Sequence, residues 1–148
     1  MVVLLQSLFL LAQNVMINYA TIAIWEGGAE DIFYTDNDFN NHNFGNLNET
    51  SQLYLKSGQL FVAKTLDGDI IDADMYYRIY KVGDTPGEFI NANLPWHSEW
   101  VEDWTHQLWW NDSPEETNLN ILDGITPGNY VIEVYFQAED GTNTILYH

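Results

Sequence analysis

Five of the six tryptophans fall within one fifteen-residue stretch, Trp96-His97-Ser98-Glu99-Trp100-Val101-Glu102-Asp103-Trp104-Thr105-His106-Gln107-Leu108-Trp109-Trp110. An indole offers a broad apolar face and one N–H donor, and the C–H faces of sugar rings lie well against such a platform. Trp96, Trp100 and Trp104 recur every fourth residue, a spacing that gives one face to a helix and equally to a strand, so periodicity alone does not choose between them. The interleaved Ser, Glu, Asp and His residues predict a loop or a short helical turn, because one strand of that length would be long and poor in β-branched side chains. Two readings stand side by side. The tryptophans fill a core, with Trp109 or Trp110 as anchor, or Trp96, Trp100 and Trp104 form an exposed patch that implies a partner.

Acidic oxygens form a second group of candidates. Asp67, Asp69, Asp72 and Asp74 lie within eight residues, and Asp36, Asp38 and Asn40 alternate along a shorter run, so both sets present hard oxygen ligands suited to calcium. Neither is an EF-hand loop, since the sixth position from Asp36 is Asn41 and the twelfth is Leu47. The plainer readings are a solvated acidic hairpin and a set of Asx turns. Arg78, flanked by Tyr76 and Tyr80, suits either ligand contact or a cross-strand pair with an acid such as Glu133. His42, His97 and His106 lack the close spacing of a zinc site. No required cofactor is expected.

The same reading predicts a non-catalytic chain. With 22 acids, carboxylate pairs at glycosidase separation arise by chance and discriminate nothing. There is no cysteine nucleophile, no nucleophile elbow and no phosphate-binding glycine loop.

The elements that must position these residues are strands. Turn pairs recur at Gly27-Gly28, Asp67-Gly68, Pro86-Gly87, Asp123-Gly124, Pro127-Gly128 and Asp140-Gly141. Between them lie runs rich in β-branched and aromatic residues: 15–25, 31–34, 52–56, 59–66, 75–82, 88–91, 130–137 and 142–147. Tyr130, Ile132, Val134 and Phe136 alternate as a core row, as do Met75, Tyr77 and Ile79, with Tyr76, Arg78 and Tyr80 outward. These features predict one all-β domain over residues 13–148, an antiparallel sandwich of about seven or eight strands. A chain of 148 residues suits one core, since two would need roughly 200 residues or more.

Residues 1–12 form an apolar run broken at Gln6 and Ser7, too short for a membrane span of about 20 residues. Its length and the small residue at Ala12 fit the remnant of a signal peptide cleaved before Gln13, although a positive start is missing; a buried first strand or helix is the other reading. Four Lys and Arg against 22 Asp and Glu give a formal charge of -18, which makes nucleic acid and anionic membrane surfaces poor partners. Aromatics at 15% and hydrophobics at 46% exclude a disordered acidic tail.

Several strings together resemble a known kind of module: Met75-Tyr76-Tyr77-Arg78-Ile79-Tyr80-Lys81, Gly83 to Gly87, Leu94-Pro95-Trp96, Gln107-Leu108-Trp109, Asn118 to Leu122 and Gly124 to Tyr130, with the loop Asp38 to Gly45. The chain is similar over residues 13–148 to β-sandwich modules of secreted, multidomain bacterial surface proteins, which often end in a type IX sorting tail. The resemblance implies a sandwich of the immunoglobulin/fibronectin-III-like or jelly-roll kind, secretion or a cell-surface location, and neighbouring domains. It carries over no catalytic residue. Such modules usually continue with a further turn and strand, so the expected domain is C-terminally incomplete. Two functions follow as expectations: carbohydrate binding, specifically polysaccharide, through the aromatic patch, or adhesion and assembly with a surface-protein partner through edge-strand pairing.

The charge imbalance also sets a stability expectation. Mutual repulsion among 22 acids is screened by salt and relieved by calcium, so the melting temperature should rise from dilute buffer to 0.15 M salt, where the Debye length is about 8 Å. A calorimetric scan in which neither agent moves the transition would contradict it.

Overall fold

The computed structural model describes residues 15–28, 31–48, 50–64, 69–111, 118–141 and 144–147. The expected signal segment at 1–12 lies outside them. In chain order the elements are β1 (Val15–Trp25), β2 (Ile32–Thr35), α1 (Asp36–Phe39), β3 (Tyr54–Lys64), β4 (Asp72–Lys81), β5 (Ile90–Asn93), β6 (Trp96–Val101), β7 (Thr105–Trp110), β8 (Leu119–Asn120), β9 (Tyr130–Glu139) and β10 (Thr144–Tyr147). The strands form two antiparallel sheets packed as a sandwich. One runs β2-β1-β3-β7-β6 with β8 pairing β3, and the other runs β10-β9-β4-β5.

Alternation explains the inner faces. Met75 pairs with Phe136, Tyr77 with Val134 and Ile79 with Ile132, so both rows point at the opposite sheet. Tyr130, expected in the core, stands outside it; its hydroxyl lies 3.3 Å from that of Thr126 at the open end of β9. From the larger sheet come Ile22, Ile24, Leu55, Leu60, Val62 and Trp109. Each such aliphatic side chain, fully buried, contributes about 1.5–3 kcal/mol.

Gly58 explains why two expected strands are one. Residues 52–56 and 59–66 read as separate runs with a break at Ser57-Gly58, yet β3 passes through without turning. A Cβ at Gly58 would lie 2.7 Å from Met75 Sδ and 3.0 Å from Phe136 Cε1, so glycine is required by the approach of the second sheet. Beside it the chain changes sheets at Leu94-Pro95. The Leu94 N–H donates to Ala73 O in one sheet at 3.1 Å, while Pro95 O accepts from Trp110 N in the other at 3.0 Å. Leu94 is fully buried at this corner.

The loop or short helical turn expected over 96–110 is instead a hairpin. Residues 102–104 split the stretch into two six-residue strands, which removes the objection to a single long strand. The expected turn at Asp140-Gly141 is present, with Gly141 at φ 81°.

Replacing Gly58 with alanine should destabilise the protein by about 1–3 kcal/mol through overpacking. The same change at Gly87, where a Cβ meets nothing within 4 Å, should stay within about 0.5 kcal/mol. Urea denaturation of both variants gives the comparison.

Candidate functional site

The tryptophan stretch occupies a free edge. β6 ends the larger sheet, so among the described residues no strand pairs with one side of its backbone. At the hairpin tip the Glu102 N–H donates to Trp104 O at 3.0 Å. Trp96 and Trp104 are 55% and 39% exposed, and among the described residues neither stacks on another ring.

A bulge at His97 decides which way the indoles point. Trp96 is in register with Trp109, whereas Ser98 is in register with Leu108 and Trp100 with His106. Trp109 faces the core and His106 faces outward, so Trp96 and Trp100 flank the sheet edge from opposite faces. The three tryptophans share an edge and do not line a single face. Trp104 sits at the tip beyond them.

Trp100 is half-buried and braced from behind. Its ring lies 4.8 Å from Phe61 and 5.5 Å from His106, the latter nearly parallel at 22°. Phe61 in turn stacks on Tyr19 at 4.8 Å and 10°. Rings stacked on one another spend their faces internally and turn their edges to water, so this row supports Trp100 more than it offers a platform. Sequence reading missed Tyr19 and Phe61 as supports, although both lie in strands whose alternation could have placed them outward. Among the described residues, Trp110 Nε1 and His106 Nδ1 are buried without a hydrogen-bond partner.

Polar contacts pin the inward side of the hairpin. Lys64 Nζ lies 2.6 Å from Asp69 Oδ1 and 3.1 Å from Glu99 Oε2. Gln107 Nε2 donates to Glu99 Oε2 at 2.8 Å, and Trp109 Nε1 donates to Gln107 Oε1 at 3.4 Å. The Gln107 bond, then Lys64, holds the Glu99 carboxyl below its ordinary range. Burial alone would lower the Lys64 ammonium, but its bonds to Asp69 and Glu99 outweigh that and raise it.

Tyr76, Arg78 and Tyr80 form a separate cluster on the outward face of the other sheet. Arg78 Nε donates to Glu133 Oε2 at 2.6 Å across the expected register, and Tyr80 Oη donates to Glu133 Oε1 at 2.6 Å. The guanidinium also lies 4.1 Å from the centre of Phe89 and donates to Gly87 O at 3.3 Å. Tyr76 stacks on Tyr135 at 4.8 Å and 6°. Arg78 is thus engaged in holding the 82–89 turn against the sheet. The Tyr80 bond, then Arg78, keeps the Glu133 carboxyl below its usual range.

The acidic sets are dispersed. Asp67 lies outside the described residues, as does the side chain of Asp36. Asp69 pairs with Lys64, Asp72 Oδ1 accepts from Ala73 N at 3.0 Å, and Asp74 Oδ2 accepts from Tyr76 Oη at 3.3 Å. Asp38 Oδ2 accepts from Thr35 Oγ1 at 3.0 Å, the side-chain pair that opens α1, and Asn40 Oδ1 accepts from Asn41 Nδ2 at 3.0 Å. Among the described residues no three His, Cys, Asp or Glu side chains are grouped to hold a metal.

An aromatic cluster that sequence reading did not single out lines an opening between the sheets. Tyr34 meets Phe39, His42 and Phe44 with ring centres 4.8–6.1 Å apart. Its hydroxyl donates to Glu26 Oε1 at 2.6 Å and lies 3.4 Å from His42 Nε2. Burial, then Glu26, pushes the Tyr34 phenol up to about 12.

Compared with known proteins, the chain matches no family model, no curated protein and no solved structure.

The raised phenols predict alkaline instability. Tyr34, Tyr76, Tyr77 and Tyr80 all keep their protons longer when folded. Their contribution is complete below the ordinary tyrosine value near 10 and is lost as pH climbs toward the folded value, about 12 for Tyr34. Stability measured by urea titration should therefore fall between about pH 10 and 12, and Tyr34→Phe should flatten part of that slope. An unchanged slope would count against the assignment.

Proposed function

We propose that the chain is a non-catalytic, secreted binding module that takes an uncharged polysaccharide along the β6–β7 edge. The observation that carries this reading is the row of Trp96, Trp100 and Trp104 on one free sheet edge, two of them exposed and unstacked, the third braced by Phe61 and His106. Across the bulge Trp96 and Trp100 span three residues of β7, roughly 10 Å at strand spacing, so an extended chain of sugars reaches both. Backbone N–H and C=O groups on the side of β6 that no described strand pairs supply hydrogen bonds to hydroxyls between the indoles.

Charge favours a neutral ligand. All four basic side chains have partners within the fold: Lys56 with Asn118, Lys64 with Asp69 and Glu99, Arg78 with Glu133, and Lys81 with Pro127 O. An anionic glycan would meet Glu102 and Asp103 at the hairpin tip and the field of a chain with formal charge -18. The apolar run at residues 1–12, read as an export signal, supports a location where polysaccharides are met.

Affinity electrophoresis through gels containing neutral polysaccharides tests the reading. Trp96→Ala and Trp104→Ala should each weaken retardation about tenfold, near 1.4 kcal/mol, while Tyr76→Ala on the opposite sheet leaves it unchanged. Equal mobility of wild type and both tryptophan variants on every glycan would sink it.

A further inference from the structure

The sandwich closes unevenly. At Gly58 the sheets touch, yet between β1 and β9 they part to form an open groove of about 1680 Å³. Its floor is made of core-facing side chains, among them Ile22, Ile79, Ile132, Val134 and Phe136. Ile79, Ile132 and Val134 pack against the core but remain only half-buried. The aromatic cluster around Tyr34 forms one wall.

One border of this groove is a strand edge. β10 pairs with β9 only along Phe136–Glu139, and on the side away from β4 no described strand pairs with residues 130–134. Half-covered core residues beside an uncompleted ladder are what a sheet shows when it is one strand short. A lipid would cover the floor but leave the backbone row unmatched, and a sugar would pair with the row but set its hydroxyls against an apolar floor; an extended peptide matches both. Among the described residues lining the groove there is no lysine or arginine, while Asp123 is present and the whole chain carries a formal charge of -18; the Glu133 carboxylate faces outward and is taken by Arg78. An acidic segment is therefore disfavoured and a basic-flanked one favoured.

We propose that this groove accepts an extended segment of a partner protein, antiparallel to β9 along residues 130–134. Alternate apolar side chains enter between the sheets, and the flanks are neutral or basic. The direction continues that of β10, whose Ile145 and Tyr147 already point toward the core. The inference is independent of the glycan reading, since hairpin and groove lie on different edges of the fold.

The test uses the full chain and a synthetic heptapeptide that repeats the Thr-Ile-Leu-Tyr pattern of β10 with lysine at both ends, followed by fluorescence anisotropy and amide hydrogen exchange. Saturable binding with slowed exchange confined to residues 130–134 is expected. Val134→Lys, which places a charge on the floor, and Ile132→Trp, which fills it, should each weaken binding at least tenfold, with Trp104→Ala unchanged. Circular dichroism confirms that each variant is folded. Absent binding, equal binding by a folded groove variant, or uptake of monoolein in place of the peptide would overturn the proposal.

Discussion

How closely the two sheets approach is fixed where Gly58 meets Met75 and Phe136, and the rest of the structure is arranged around that contact. With no side chain at Gly58, the sulfur and the ring from the second sheet fill the space directly, and Leu94 closes the corner beside them. On one side of this point β7 and β6 extend the larger sheet past the core, carrying the tryptophan hairpin to a free edge. On the other side the sheets diverge toward β9, and side chains patterned for burial are left half covered. Both candidate sites are thus edges of one packing arrangement rather than pockets cut into it.

Charge has a similarly uneven distribution. A formal charge of -18 sits on a chain whose four cations are each used to hold a particular piece of structure. Lys64 ties β3 to Glu99 of β6, Arg78 ties β4 to β9 and to the 82–89 turn, and Lys56 and Lys81 hold the segments around Asn118 and Pro127. The outward residues in register across β1, β3, β7 and β6, including Tyr19, Phe61, His106, Leu108 and Trp100, contain no acid. Repulsion therefore acts around the aromatic edge without crossing it, which suits a neutral partner and discourages anionic ones.

Much of this fold is legible in the sequence wherever alternation is unbroken. β4 and β9 show their inward rows directly, and the pairing of Arg78 with Glu133 follows from putting both on the outward face. The turn at Asp140-Gly141 is equally plain because its backbone needs a left-handed residue. Legibility fails where one residue serves a distant neighbour. Gly58 reads as a local break, although its role is to admit a methionine and a phenylalanine from the other sheet. Residues 96–110 read as too long for a strand because nothing local marks Glu102-Asp103-Trp104 as a turn; they carry none of the glycine or proline that marks the others. Which acids neutralise which cations is likewise settled only by register.

The bulge at His97 is the most consequential hidden feature. Regular alternation would place Trp96, Ser98 and Trp100 on one face, and a face is what the four-residue spacing promises. One extra residue moves Trp96 to the side of Trp109 while Trp100 stays with His106, so a patch becomes a pair of indoles straddling the strand. That geometry changes what the aromatics can grip. A flat patch presents one broad surface, whereas indoles on both sides of an edge strand present two separate rings with the strand backbone between them. The same residue also turns its ring to Trp110, 5.2 Å away, so the bulge is itself packed in place. A site whose shape depends on one unpaired residue inherits its precision from that packing.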